Sequence, residues 1–138
     1  MFLVTREQRQ KTGDPAFVDR VVTHFRRYHT EAVAILSDDL LRRRVAHGIE
    51  RGRAYGLTWE YSLTVFVAHM MRIHPEFDRY PAIQRELFNP DHGEPDERID
   101  ALTYAVSEKA WDEAASQSDP EAYWIALGLP TPDEGELQ

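Results

Sequence analysis

Cysteine is absent from this chain of 138 residues, and no long apolar run occurs in it. The absence of cysteine excludes disulfide bonds, thiolate zinc sites and cysteine nucleophiles. A transmembrane helix needs about 20 apolar residues in succession, so we expect no membrane-spanning segment and no membrane partner. The apolar residues 1–4 are followed at once by Arg6, Glu7 and Arg9, a pattern that does not match a signal peptide. We therefore expect a soluble protein of the cytoplasm.

Sequence motifs of catalysis and nucleotide binding are also missing. The chain contains no G-x-S-x-G nucleophile motif and no glycine-rich dinucleotide fingerprint. It shows no internal repeat and no strand-like alternation of apolar and polar residues. We predict no catalytic residue, no cofactor and no bound metal, and we expect a protein that is not an enzyme.

Positive charge is scarce in the C-terminal part of the sequence. Residues 1–56 contain 11 Lys and Arg against 7 Asp and Glu, a net charge of +4, whereas residues 57–138 contain 5 against 17, a net charge of −12. The whole chain therefore carries a net charge of −8. Nucleic-acid binding requires a positive surface that neutralises phosphates, so the acidic half argues against a nucleic-acid partner.

Apolar residues recur at intervals of three and four along most of the chain, which is typical of amphipathic helices. Phe17 and Val21 illustrate the spacing in the first strong helix. Breaks rich in proline and glycine separate the helical segments, the clearest at residues 89–96. We predict an all-α fold, a compact bundle of about five to seven helices in a single domain over residues 1–129. The acidic residues 130–138 have little to bury and are expected to form a disordered tail.

Two of the predicted helices have specific boundaries. Thr58 is expected to cap a central helix that runs to about Ile73 and is apolar over much of its circumference. A further single helix is predicted from the break at residues 89–96 up to Ser116, with Val106 on its apolar face.

Three glycines, Gly48, Gly52 and Gly56, follow one another at four-residue intervals in a predicted helix and at its end. A glycine inside a helix costs about 1 kcal/mol relative to alanine, so the first two need a compensating contact. We interpret them as points where another helix of the same chain approaches closely, and Gly56 as the left-handed residue that ends the helix. The alternative is that Gly48 and Gly52 receive a helix of a partner protein.

Basic residues are concentrated in the same predicted helix. Neighbouring residues of a helix are separated by about 100°, so the three consecutive arginines that begin at Arg42 cannot form one patch. We expect Arg42 and Arg53 to pair with acidic residues of the C-terminal half. A buried Arg43 would require a carboxylate beside it, either Asp19 or Glu50. Contact with an acidic partner and contact with a nucleic acid are the alternatives for these arginines.

The six histidines do not form a recognisable metal motif. His47 and Glu50 have the i, i+3 spacing of a metal-binding pair, but the sequence offers no second pair. An enzyme would instead require that His69, His74 and Asp78 converge in one pocket.

Three segments together form a recognisable arrangement. They read HFRRYHTEAVAIL at residues 24–36, LLRRRVAHGIERGRAYGLTWE at residues 40–60 and HPEFDRYPAI at residues 74–83. The arrangement is a basic helix ending in a glycine turn, a second helix opened by Thr-x-Glu, and a Phe-Asp pair followed by a proline. It resembles a family of small helical proteins that bacteria encode beside type VI secretion components, commonly near spike-tip and effector genes. The resemblance covers about half of the chain.

The resemblance implies an accessory role, such as loading, chaperoning or adapting a secretion effector to the spike. We therefore predict a protein whose partner is a secretion effector or a spike protein, bound in an aromatic or glycine-lined groove with a charged rim. The alternative is an immunity protein whose acidic half blocks a basic toxin. The residues predicted to contact the partner are Arg43, Gly48, Gly52, Trp59, Trp111, Tyr123 and Trp124. The alternative for the four aromatic residues is a place in the hydrophobic core.

Overall fold

A computed structural model describes residues 14–132, which form α-helices joined by short turns. Residues 1–13 and 133–138 lie outside this described part, and with them most of the predicted tail. Residues 14–132 contain no strand, which confirms the predicted all-α class. The α-helices of this part are α1 (Pro15–Tyr28), α2 (Thr30–Val33), α3 (Asp38–Ala54), α4 (Glu60–Arg72), α5 (Pro81–Leu87), α6 (Pro95–Ala105), α7 (Glu108–Ala115) and α8 (Pro120–Ala126). Two short 3-10 helices, Phe77–Arg79 and Pro90–His92, lie before and after α5.

The boundaries of α3 follow from local hydrogen bonds. Ser37 caps the helix, because its hydroxyl oxygen accepts the N–H of Leu40 at 3.1 Å. Gly56 has a φ of +93° and ends the helix in the left-handed conformation, as predicted. The N–H of Leu57 then donates to the carbonyl oxygen of Gly52 at 3.2 Å. These bonds turn the chain sharply from α3 toward α4.

The start of α4 differs from the prediction, because Trp59 and not Thr58 occupies its N-cap position. The N–H and the hydroxyl of Thr58 and the N–H of Trp59 donate to the carboxylate of Asp96 over distances of 3.0 to 3.3 Å. Burial raises the pKa of Asp96, but the hydrogen bonds from the backbone of Trp59 and Thr58 outweigh it, so the pKa lies below its ordinary value. Asp96 therefore attaches the start of α4 to the start of α6.

The single helix predicted after residues 89–96 is in fact two helices, α6 and α7. Val106 is extended, with φ −100° and ψ 129°. Ser107 then caps α7 by accepting the N–H of Ala110 at 3.1 Å. The apolar spacing concealed the break, because Val106 and Ala110 are both buried.

The core lies where α1, α3 and α4 meet, and α5 and α6 close its other side. α3 and α4 make the most extensive contact between two helices. Among the residues that the structure describes, no helix combines the length and the apolar character needed to cross a membrane. The largest fully buried apolar side chains are Phe25, Leu41, Ile49, Leu63, Phe66, Met70, Phe77, Ile83, Ile99 and Leu102.

Candidate functional site

An apolar groove lies between the end of α1, one side of α4 and α7. Its volume is about 450 Å³, which falls in the range of about 300 to 1,000 Å³ that is usual for ligand sites. Tyr61, Thr64, Ala68 and Arg72 recur at intervals of three and four, so α4 supplies one long wall. We name it the histidine groove, and its lining residues are His24, His29, Tyr61, Thr64, Val65, Ala68, His69, Arg72, Ile73 and Trp111.

His29 and Arg72 meet at the C-terminal end of this wall. Arg72 donates a guanidinium N–H to Nδ1 of His29 at 3.1 Å. Because a guanidinium only donates, Nδ1 must be unprotonated, and the ring carries its proton on Nε2. Burial, followed by the charges of Arg72 and His24, lowers the pKa of His29 below its ordinary value. His29 is therefore a neutral side chain that orients Arg72 and retains one N–H donor.

His69 and Trp111 form a ring stack in the wall of the groove. Their centroids are 4.8 Å apart and their planes differ by 29°. Nε2 of His69 is buried and has no hydrogen-bond partner within residues 14–132. Burial, and to a smaller extent the charge of Arg72, lowers the pKa of His69 to about 4. His69 is consequently neutral near pH 7 and a poor general base.

The groove differs in charge from the rest of the molecule. None of its ten lining residues is Asp or Glu, although the chain carries a net charge of −8. Arg72 forms no ion pair with any residue of the described part of the chain. An unpaired cation at the end of an apolar surface attracts an anionic group.

Among residues 14–132, the polar groups of the groove show neither a hydroxyl hydrogen-bonded to a base nor a cluster of metal ligands. A hydroxyl nucleophile requires a base within hydrogen-bond reach. The Thr64 hydroxyl instead donates to the backbone oxygen of Glu60 at 2.8 Å. Across residues 14–132, no group of three or more His, Asp and Glu is arranged to hold a metal ion. The groove offers apolar contact together with hydrogen bonds from polar side chains of its lining, among them His29, Tyr61 and Arg72.

The structure corrects the prediction that Gly48 and Gly52 contact a partner. Both residues are buried. A Cβ atom at Gly48 would lie 2.9 Å from Cγ2 of Val67, and one at Gly52 would lie 2.9 Å from Cδ2 of Leu63. Helix α4 of the same chain occupies this space, so a partner helix cannot reach the glycines. The interpretation of a close approach within the chain is confirmed.

The four predicted aromatic contacts lie in different surroundings. Trp111 lines the histidine groove. Trp59 is 56% exposed at the start of α4. Tyr123 is half-buried, and its hydroxyl lies 2.7 Å from Nε2 of His47 on α3. Trp124 is buried, which corrects its prediction as a contact residue, since a partner cannot touch it in this structure.

The buried arginine of α3 is Arg44 and not Arg43. Arg43 is exposed and pairs with Asp39, one turn earlier, at 3.2 Å. Arg44 is 4% exposed and pairs with Glu121 at 2.8 Å. Its guanidinium also lies 4.8 Å from the ring centroid of Trp124. These contacts attach α8 to α3, and Arg43 needs no carboxylate from Asp19 or Glu50.

Arg42 and Arg53 do not pair with the acidic half as predicted. Arg42 forms an ion pair with Asp19 of α1, which belongs to the same half of the sequence. Arg53 forms no ion pair with the residues that the structure describes. The ion pairs between the two halves are made instead by Arg44 and Arg51 of the same helix, with Glu121 and Asp78, and by Arg20 of α1 with Glu60. Arg44 can pair in this way because its helical phase turns the side chain inward.

His69, His74 and Asp78 do not form one pocket. Nε2 of His74 lies 3.1 Å from the backbone oxygen and from Oγ of Ser118. Asp78 is buried and forms an ion pair with Arg51. His69 stacks in the histidine groove. Each of the three side chains therefore has separate partners, and the predicted convergence is not formed.

His24, His29, Tyr61 and Arg72 line the groove but were not predicted as site residues from the sequence. A signal was present, since α4 is apolar over much of its circumference and such a helix needs neighbours on more than one side. The pattern did not reveal which side would remain partly uncovered.

Comparison with known proteins found no family model, no curated protein and no solved structure that matches this chain. The resemblance to proteins encoded beside type VI secretion genes is untested by these comparisons and stays a prediction.

Proposed function

We propose that this chain is a non-enzymatic interaction protein that holds a segment of a partner protein in the histidine groove. The observation that carries the proposal is an apolar groove without Asp or Glu in a protein of net charge −8. Such a surface suits partner recognition, because apolar contact supplies affinity while a few polar groups fix orientation.

The rim of the groove offers an aromatic contact point. Tyr61 is 65% exposed at the end of the α4 wall opposite to Arg72. Trp59 is exposed two residues earlier. Exposed aromatic side chains are enriched among the residues that dominate protein interfaces. Together with the resemblance, these features support an adaptor or chaperone that binds a type VI secretion effector or spike component.

Co-purification of the full chain with the products of neighbouring genes tests this proposal. Wild-type protein should retain a partner, and Tyr61→Ala should reduce the retained amount about tenfold or more. Tyr104→Ala is the matched control, because Tyr104 is 77% exposed and does not line the groove. Thermal unfolding should be the same for both variants. Equal retention by the two variants, or no retained protein with the wild type, would refute the proposal.

The immunity function remains the second candidate because of exposed carboxylates on α6 and α7. Asp100, Glu108 and Asp112 are exposed and form no ion pair with other residues in the 14–132 range. A field of unpaired carboxylates favours rapid capture of a basic toxin.

Toxicity and secretion assays separate the two candidates. If co-expression protects cells from a neighbouring toxin and leaves its secretion unchanged, the immunity function is supported. Protection should then be lost in the triple variant Asp100→Lys, Glu108→Lys, Asp112→Lys and kept in Tyr61→Ala. If deletion of this protein stops secretion of an effector, the adaptor function is supported.

A further inference from the structure

We infer that the histidine groove recognises an apolar group that carries a carboxylate. The occupant is a segment of a partner protein in which an aromatic or aliphatic residue stands next to an acidic group. The inference rests on the proposed function for the natural occupant, whereas the chemistry of recognition is argued from the groove alone. Three features of the described residues carry it.

The first feature is the unused hydrogen-bonding capacity of Arg72. A guanidinium carries five N–H donors, and the hydrogen bond from Arg72 to Nδ1 of His29 uses one of them. Glu31 lies with Arg72 along a neighbouring depression, but the two form no ion pair. The planar fork of a guanidinium fits the two oxygens of a carboxylate with two parallel hydrogen bonds.

The second feature is the way in which His29 prepares Arg72. The bond from Arg72 to Nδ1 restrains the guanidinium before a ligand arrives, so less side-chain freedom is lost on binding. The same bond places the ring proton on Nε2, on the edge of the ring that faces away from the guanidinium. His29 therefore restrains Arg72 as a neutral side chain and leaves its other N–H groups free for a carboxylate.

The third feature is the apolar wall beside these donors. Val65, Ala68, Ile73 and Trp111 line the groove and are partly buried against the core. A volume of about 450 Å³ accommodates an aromatic ring with a short aliphatic chain. A polyanion is disfavoured, because the groove presents one unpaired arginine on a protein of net charge −8.

Small probes test the inference on the full chain. Phenylbutyrate carries an apolar group and a carboxylate, and phenylbutanol has a similar shape without charge. Isothermal titration calorimetry should show that phenylbutyrate binds about 10 to 100 times more tightly than phenylbutanol. In NMR spectra, the shifted signals should belong to the backbone of Ala68 and Arg72 and to the indole of Trp111.

Matched arginine variants assign the carboxylate contact. Arg72→Gln should abolish the preference for phenylbutyrate and leave the weaker binding of phenylbutanol unchanged. Arg85→Gln is the control, because Arg85 is also exposed and lies on α5 outside the groove. Equal binding of the two probes to the wild type, an unchanged preference in Arg72→Gln, or no binding of either probe would overturn the inference.

Peptide arms identify the source of the carboxylate. One peptide ends in Phe with a free carboxylate, a second is its amide, and a third is an amide with Asp after the Phe. Stronger binding of the first or of the third assigns a chain end or an acidic side chain, and equal binding of all three contradicts the inference. If phenylbutyrate binds as described but does not displace a co-purified partner, the inference stands and the proposed docking in this groove fails.

Discussion

The two sides of α4 differ in how closely neighbouring helices pack against them. On one side, Leu63 and Val67 lie against Gly52 and Gly48 of α3, so closely that a Cβ atom on either glycine would come within 2.9 Å of a side chain. On the other side, α4 faces the histidine groove, with a volume of about 450 Å³. The same helix is therefore tightly covered by α3 and only partly covered by α1 and α7.

The difference arises from the size of the side chains that the neighbouring helices present. Glycine presents no side chain, which allows the backbones of α3 and α4 to come together. Trp111 of α7 presents an indole that stacks on His69 of α4, with centroids 4.8 Å apart. The two rings therefore separate the backbones of α4 and α7. The glycines of α3 form a seam that lets side chains of α4 pack closely against the helix backbone, whereas large rings on α7 leave a cavity that a ligand can enter.

Filling the glycine seam should have the largest effect on stability. Gly48→Leu places four carbon atoms where Val67 and Met70 already lie. Its Cβ alone would come within 2.9 Å of Cγ2 of Val67. Overpacking a buried site usually costs about 1 to 3 kcal/mol, and a side chain of this size belongs at or above the upper end. We expect a loss of about 3 kcal/mol or more in the free energy of unfolding, measured by urea denaturation.

A variant on the exposed side of the same helix serves as the control. Glu50→Leu introduces the same side chain at an exposed position of α3 and should change the free energy of unfolding by no more than about 0.5 kcal/mol. If Gly48→Leu were as stable as Glu50→Leu, the close approach of α3 and α4 would not exist in solution.

Acidification should reveal the burial of His69 on the groove side. Its folded-state pKa of about 4 lies below the ordinary value of 6.5, so the unfolded chain takes up the proton first as the pH falls. Stability that is fully present above about pH 6.5 is therefore lost progressively down to about pH 4. This difference between the folded and unfolded pKa of His69 corresponds to about 2 to 3 kcal/mol in the free energy of unfolding, because the side chain retains some contact with water.

The variant His69→Phe isolates this contribution. Phenylalanine keeps a ring on Trp111 and removes the titrating group. Between pH 7.5 and 4.5, its free energy of unfolding should fall by about 2 to 3 kcal/mol less than that of the wild type. Equal acid sensitivity of the two proteins would mean that His69 is hydrated and that the ring stack is open.

The sequence predicts the fold class of this chain but not the position of its groove. The periodicity of apolar residues predicted the all-α class, and the spacing of Gly48, Gly52 and Gly56 predicted a tight contact and a helix end. The groove could not be predicted in the same way, because a cavity depends on which parts of a helix its neighbours leave uncovered. The burial of Arg44 was missed for a related reason, since it requires a carboxylate supplied by Glu121, 77 residues later.

Asp96 attaches the start of α4 to α6, and replacing it should have an intermediate effect on the free energy of unfolding. Its carboxylate accepts hydrogen bonds from Thr58 and Trp59 at the start of the helix. Removing a carboxylate that caps a helix costs about 1 to 2 kcal/mol, so Asp96→Ala should lose about that amount in urea denaturation. Asp100→Ala, an exposed position of the same helix, should have almost no effect. Similar losses in the two variants would place the attachment of α4 elsewhere.

The smallest effect is expected for Gly52→Ala, and it sharpens the account of the seam. Alanine gains about 1 kcal/mol in helix propensity over glycine. The atom that its Cβ would meet is Cδ2 of Leu63, the end of a flexible side chain that can rotate away. At Gly48 the corresponding atom is Cγ2 of Val67, and a β-branched side chain in a helix has almost one rotamer. Gly52→Ala should therefore unfold within about 1 kcal/mol of the wild type, whereas Gly48→Ala should be clearly less stable. If urea denaturation showed Gly52→Ala to be less stable than Gly48→Ala, the stiffness of the opposing side chain would not be what limits the approach of α3 and α4.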